Sequence, residues 1–260
     1  MIESRRQWIE PGRESAIAAA SRGQLQVRDV DPRTEPGWAA FVAQHPDGSI
    51  YHHPAWLEVL QREYRRPQVG LACRDAGGAL RGVLALCRTK GLPLSPGGQL
   101  TGRRWSSLPR TPLSGPLALD RAAAAALVQA AVARVRHEPG TQLQLKVASP
   151  SLDGMVAGLN RVPWRLTYVL TLPENPEALG PADGRARRRN AWAVNKAKRL
   201  GVSVRAAETE ADVEAWHRLY LDTMRGLGVP ARSLRFFRAA WEILGSRGLM
   251  RLLLAEQRDE

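Results

Sequence analysis

Apolar positions along the chain follow two periods. Residues 69–75 (VGLACRD) and 79–88 (ALRGVLALCR) alternate around an Ala-Gly-Gly turn, which predicts a β-hairpin. With the turn centred on Gly77–Gly78, Leu71 faces Leu84 and Val69 faces Leu86, giving one apolar face. Shorter alternating runs predict strands at 24–30, 105–108, 141–148, 165–172, 202–206 and 249–256. In 141–148 the inward residues are Leu143, Leu145 and Val147. Helical spacing governs the rest. It predicts helices over 36–44, with Pro36 in the first turn, and over 54–64, with Trp56, Leu57, Leu60 and Tyr64 on one side. Asp120 caps a helix over 121–136 that buries Val128, Val132 and Val135. A helix over 211–227 carries the stripe Val213, Trp216, Tyr220, Met224 and Leu227. Ser233 caps another, with Leu234, Phe237, Trp241 and Leu244 inward.

The elements order the chain. Two helices leading into an alternating strand occur at 36–74 and again at 211–256, a weak repeat without residue identity. The expected class is therefore α/β in the broad, α+β sense, with mixed sheets flanked by helices. The expected division is a flexible N-terminus at 1–23, a first domain at 24–164 and a partial second domain at 165–260. On that division the second copy stops after its hairpin turn, so the last strand is expected to lack a partner and to expose an edge. Residues 1–23 predict no signal peptide, because Gln7, Glu10, Arg13 and Glu14 interrupt any apolar core. No apolar run reaches membrane-spanning length.

Charge sharpens this picture. The 260 residues carry 38 Lys and Arg against 25 Asp and Glu, so anionic partners are favoured: phosphates, nucleic acid or an acidic membrane surface. Much of the excess falls in a helix predicted over 184–200, stopped by Gly201. Arg185, Arg189, Trp192, Lys196 and Arg199 share one face, Arg187, Arg188 and Lys198 add further cations, and no acid occurs between Asp183 and Glu208. Cations at the N-terminal end oppose the helix dipole, which points to a ligand. Beside them Ala186, Asn190, Ala193, Ala197 and Leu200 form a stripe of mostly small residues expected to pack on a core. Arg185, Arg188, Arg189, Lys196 and Arg199 are thus candidate phosphate-binding residues; the bland alternative is a solvated basic face. Cys73 and Cys87 lie opposite Gly82 and Gln68 in the hairpin, so no disulfide is expected and a reducing, cytoplasmic compartment fits.

The sequence contains no GxSxG, CxxC or HExxH motif, and no catalytic residue or metal site is assigned. Arg74-Asp75-Ala76-Gly77-Gly78-Ala79 matches a pyrophosphate loop by letter, but it falls in a hairpin turn rather than between a strand and a helix. Arg225-Gly226-Leu227-Gly228-Val229-Pro230 fails that pattern at its last position. Tyr51, His53 and Trp56, beside His52 at a helix entry, are candidate substrate-binding residues, although helix-entry packing also explains them. Tyr220 and Arg225 flank the Gly-Leu-Gly-Val-Pro turn and are candidates on the same footing.

The segments IYHHPAWLEVL, LACRDAGGALRGVLAL, RRRNAWAVNKAKRLGVSVR and TMRGLGVPARSLRFFRAAW leading into LLLAE, in that order, resemble the FemAB-like aminoacyltransferases, built from tandem GNAT-type acyltransferase domains. The resemblance implies an N-acyl or aminoacyl transferase that moves an acyl group to an amine acceptor such as a bacterial peptidoglycan or other cell-envelope precursor. It implies acyl-CoA or aminoacyl-tRNA as co-substrate and no permanently bound cofactor. The implied partners are an anionic acyl donor and an amine acceptor, with tRNA and peripheral membrane contact as further options. The alternatives are a basic module that holds tRNA or another phosphate ligand without chemistry, and an inactive truncated transferase.

Overall fold

In the computed structural model, which describes residues 25–89, 103–108, 111–147, 152–163, 172–175 and 184–257, the hairpin forms in the expected register. β2 (Gln68–Arg74) pairs antiparallel with β3 (Leu80–Thr89), with Leu71 opposite Leu84 and Val69 opposite Leu86. Cys73 and Cys87 are both free and buried. The expected N-terminal segment and nearly all of the strand expected over 165–172 lie outside the described residues.

Contacts divide the chain into two units: residues 1–53 with 67–159, and residues 54–66 with 160–260. In the first unit the sheet runs β1 (Gln26–Val30), β2, β3, β4 (Arg103–Ser106) and β6 (Thr141–Gln144), while β5 (Leu117–Ala118) pairs with β3. β1 to β4 are antiparallel neighbours, and β6 lies parallel to β4. A parallel pair needs a crossover, which α3 (Arg121–Arg136) supplies. The Asp120 side chain caps it by accepting from Ala123 N at 2.8 Å. Ala123, Leu127 and Ala131 press on Leu71, Cys73, Leu84, Leu86 and Trp105. The expected valine stripe is therefore corrected: Val128 is buried, but Val132 and Val135 are only partly so. The small side chains of Ala123 and Ala131 let the helix axis approach the sheet and move the contact line onto their row. Val147, expected inward, is 37 % exposed because β6 ends before it.

The other sheet face carries α1 (Trp38–Gln44), which starts after Gly37, a left-handed N-cap at φ 82°, rather than at Pro36. Its approach is set by Gly70 in β2. A Cβ there would lie 2.6 Å from Pro32 Cγ and 2.9 Å from Trp38 Cζ3. Trp38 Nε1 then donates to the His52 carbonyl at 3.0 Å, which fixes the 3₁₀ turn Ile50–His52.

The second unit contains α2 (Pro54–Tyr64), α4 (Gly184–Arg199), β7 (Val202–Ala206), α5 (Glu210–Gly226), α6 (Leu234–Ala240), a π-helical turn at Trp241–Gly245 and β8 (Leu253–Gln257). β7 and β8 pair antiparallel, Val202 with Gln257 through Ala206 with Leu253. The last strand thus has a partner, correcting the expectation that it would lack one. Leu254 is buried, while Val204 and Leu253 on the opposite face are exposed. α5 begins with a capping box in which Thr209 and Asp212 satisfy each other's backbone N–H groups. Arg205 reaches from β7 to Asp212 at 2.6 Å and Glu256 at 2.8 Å; its bond to Asp212, then the backbone N–H groups of Glu208 and Thr209, hold the Asp212 carboxyl well below the usual carboxylate range.

Three expected faces shift. On α5, Val213 and His217 are buried, while Leu227 is 65 % exposed. Past Ser233, which caps α6, the buried residues are Phe236, Ala239, Ala240, Ile243 and Leu244, with Phe237 and Trp241 half-buried. The π-turn explains Trp241: its wider winding breaks the 3.6-residue phase. On α4, Asn190, Ala193 and Leu200 are exposed and Ala197 is half-buried, so the expected small stripe does not pack on a core. Along the chain, strand–helix–helix–strand with an antiparallel strand pair occurs twice, as β1–α1–α2–β2 and β7–α5–α6–β8.

Gly70→Val forces the Pro32 and Trp38 contact apart. A loss of about 1–3 kcal/mol in unfolding free energy is expected by chemical denaturation, as for other overpacked sites.

Candidate functional site

In an α/β sheet, the crevice beyond the carboxyl ends of parallel strands is the usual place for a ligand. Here that place is the end of the β4–β6 pair. The chain leaving β4 folds over the end of β6 and buries several polar groups: Ser106, Ser107, Thr111 and Ser114. Each meets a defined partner except one. Ser107 N donates to Gln144 O at 2.9 Å, and Lys146 N donates to Ser107 Oγ at 2.8 Å. Thr111 Oγ1 donates to Leu108 O at 2.9 Å, and Ser114 Oγ donates to Ser107 O. Lys146 Nζ donates to Leu108 O at 3.0 Å and Thr111 O at 3.1 Å. Burial, and then the charge of Arg104, pushes this ammonium below the usual lysine range. Leu108 itself sits at φ 50°, a strained left-handed conformation that these bonds impose. Among these four, Ser106 is the one whose hydroxyl has no partner.

Gly115 lets this segment close on β6, since a Cβ there would meet Val147 Cγ1 at 2.5 Å. His52 joins the same segment. Its side chain is bonded to Ser49 Oγ at 2.9 Å and to the Gly115 backbone. Burial lowers its pKa to about 4 despite that backbone bond, so the ring is neutral at pH 7. The two neighbours of His52 are the sequence candidates Tyr51 and His53, both half-buried. They are therefore held at the carboxyl end of the parallel pair.

The other candidates lie in the second unit. Trp56 meets Phe236 edge-on, with ring centroids 5.9 Å apart. Tyr220 stacks on Trp216 at 5.4 Å, and its hydroxyl accepts from Arg232 N at 2.9 Å. His217 holds Arg232 O at 3.1 Å. Tyr220 thus braces the segment after the Gly-Leu-Gly-Val-Pro turn. Arg225 is exposed and pairs with Asp222 at 3.0 Å. A cleft of about 800 Å³ lies between Arg62, Glu210, Arg238, Trp241, Glu242 and Arg251. Its charges are largely matched internally, Arg62 with Glu242 and Arg238 with Glu210, both at 2.6 Å.

Arg185, Arg188, Arg189, Lys196 and Arg199 all lie exposed on α4. Lys196 Nζ stands 5.1 Å from the Trp192 ring centroid, and Trp192 is 58 % exposed. Among the described residues, no cluster of His, Cys, Asp or Glu could hold a metal ion, and no helix is long and apolar enough to cross a membrane. Sequence reasoning missed the Ser107–Thr111–Ser114–Lys146 network. Ser107, Thr111 and Ser114 fall in a Gly- and Pro-rich stretch that carries no period, Lys146 falls in the alternating run 141–148, and the one signal was the spacing of hydroxyls at 107, 111 and 114.

An antiparallel sheet ending in one parallel pair, with strand–helix–helix–strand order recurring along the chain, is a fold similar to that of FemX. The solved structure of FemX is similar over 89 % of this chain, with a TM-score of 0.57 and 17 % identity. The chain spans 58 % of that FemX chain. A GCN5-related glucosamine N-acetyltransferase region of a fungal multi-domain β-N-acetylglucosaminidase also matches, with a TM-score of 0.33 and 13 % identity over 92 % of this chain and 26 % of that one. That likeness is too loose to place an element. No family model and no curated protein matches the sequence.

The buried neutral His52 makes the first unit acid-sensitive. Its folded pKa lies below the unfolded value, so its contribution is complete above about pH 6.5 and is lost as pH falls towards 4. Acid titration of unfolding free energy should show a loss of roughly 3 kcal/mol across that window, and His52→Gln should flatten it.

Proposed function

We propose that this chain is an N-acyl or aminoacyl transferase, moving an acyl group from an anionic donor to an amine acceptor such as a cell-envelope precursor. The observation that carries this reading is the likeness of fold to FemX along most of the chain. Such a transfer needs little dedicated acid–base machinery, because positioning the amine against an activated carbonyl supplies much of the rate. The absence of a nucleophile motif from the sequence is compatible with that economy.

In this reading α4 holds phosphates of the donor, either acyl-CoA or aminoacyl-tRNA. Two features support it. Among the described residues, no carboxylate pairs with Arg188, Arg189, Lys196 or Arg199. The exposed Trp192 offers a stacking face amid the cations. Tyr51 and His53 are the candidates for substrate contact in the first unit, at the end of the β4–β6 pair; Trp56, Tyr220 and Arg225 are the candidates within the second unit. The same helix supports a second reading, a phosphate- or tRNA-binding module without chemistry.

Single-turnover assays separate the two. Labelled aminoacyl-tRNA and acyl-CoA are offered in parallel, each with an amine-bearing peptidoglycan precursor. Acceptor-dependent loss of label from either donor is the expected result. RNA binding without turnover from either donor would replace the transferase reading by the second. If transfer occurs, changing Arg188, Arg189, Lys196 and Arg199 to Gln should raise donor KM about tenfold or more and leave kcat within about twofold. In a binding assay the same variant should flatten the plot of log affinity against log salt by roughly 0.7–0.9 per phosphate contact removed.

A further inference from the structure

The face of the β4–β6 pair opposite α3 is polar. Alternation sets its members. Trp105, Leu143 and Leu145 turn toward α3 and join the core. Arg104, Ser106, Gln144 and Lys146 are the alternate residues and turn the other way, with Arg104 opposite Gln142 and Ser106 opposite Gln144 in register. Arg104 Nη1 donates to Gln144 Oε1 at 3.3 Å. That bond occupies the amide oxygen and leaves the amide N–H₂ as the outward group, a donor.

Two cations on one small face are ordinarily offset by acids. Elsewhere in this unit, Arg74 pairs with Glu35, Arg81 with Asp120, Arg88 with Glu138 and Arg134 with Asp29. Among the described residues, neither Arg104 nor Lys146 has a carboxylate partner. Their mutual repulsion is left standing and contributes to the depressed lysine pKa. A second, independent observation points the same way. Ser106 is 2 % exposed, lies on this face, and its Oγ has no hydrogen-bond partner. An unmade bond at a buried hydroxyl is costly, and such a group is ordinarily satisfied. Guanidinium, ammonium, hydroxyl and amide N–H₂ are all donors, and together they match the oxygens of a tetrahedral dianion.

We infer that Arg104, Ser106, Gln144 and Lys146 form a phosphoryl-binding site on the first unit, separate from the cations of α4. The ligand class is a phosphate monoester or a pyrophosphate. The site does not depend on catalytic turnover, so it can stand or fall apart from the transferase reading.

The test is calorimetric titration of the 260-residue chain with inorganic pyrophosphate, inorganic phosphate and acetate. Pyrophosphate and phosphate should bind and acetate should not. Equal binding of acetate would overturn the assignment of a phosphoryl group. Arg104→Gln should weaken pyrophosphate at least tenfold, and Ser106→Ala should weaken it several-fold. Because α4 is itself a candidate phosphate site, the titration is repeated on a chain with Arg188, Arg189, Lys196 and Arg199 changed to Gln, in which pyrophosphate should still bind and Arg104→Gln should still weaken it at least tenfold. Loss of binding in that α4 variant with retention in Arg104→Gln overturns the inference, as does an absence of binding by the unaltered chain. Lys146 also holds the segment after β4 and is left unchanged. Thermal unfolding of Arg104→Gln and Ser106→Ala, both close to the parent, excludes misfolding as the cause. A variant that unfolds early is replaced by Gln144→Leu, with the same expected loss.

Discussion

Closing a parallel strand pair at the edge of an otherwise antiparallel sheet creates a backbone problem. The chain leaving β4 must turn away from β6 at once, and its carbonyls are buried as it does so. Buried carbonyls without partners would cost more than such a segment gains. Lys146 resolves this by donating to two of them, and Ser107, Thr111 and Ser114 tie the remainder into one network. Gly115 and the bound His52 then carry the order outward to the 3₁₀ turn, so the polar floor and its rim are consequences of one requirement. A lysine used in this way is partly desolvated, and both that burial and the charge of Arg104 push its ammonium below the usual lysine range.

Much of the architecture was legible because it rests on period and on local rules. The hairpin register followed from the Ala-Gly-Gly turn and the alternation of Leu71, Leu84, Val69 and Leu86. The basic helix and its stop at Gly201, at φ 72°, followed from spacing and from glycine's freedom. Choices of face failed. Where two adjacent rows of a helix are both apolar, packing decides between them. Ala123 and Ala131 won over Val132 and Val135 by being small, and Phe236 won over Phe237. The parallel pairing of β6 with β4 was out of reach, since residues separated by a crossover helix leave no local trace of their register.

The candidate site was legible in pieces. Tyr51 and His53 were chosen for their chemistry, and the structure places them beside the end of the parallel pair for a reason invisible in sequence, the bond from His52 to Gly115. Arg104, Ser106, Gln144 and Lys146 share a face only once β4 and β6 are aligned, so no spacing along the chain unites them. The cations of α4 are adjacent in sequence and needed no fold to be recognised. Those two basic surfaces differ in kind. One is a row of solvated charges on a helix, suited to tracking an extended polyanion. The other is a fixed array of unlike donors, suited to a single group.

The π-turn at Trp241–Gly245 bears on the length of the chain ahead of β8. A turn with i to i+5 bonds holds one residue more than an α-helical turn. Upstream, α6 keeps Phe236, Ala239 and Ala240 buried; downstream, Ile243 and Leu244 are buried again. The extra residue therefore resets the phase before the chain reaches β8. Removing one residue would demand either that the turn tighten to an ordinary helix or that the chain beyond it rotate by about 100°. In the second case Leu254 would leave its buried place on β8, and the pairing with β7 would have to be found anew. Length at this turn is thus constrained more tightly than identity, and relatives should tolerate substitutions here more readily than deletions.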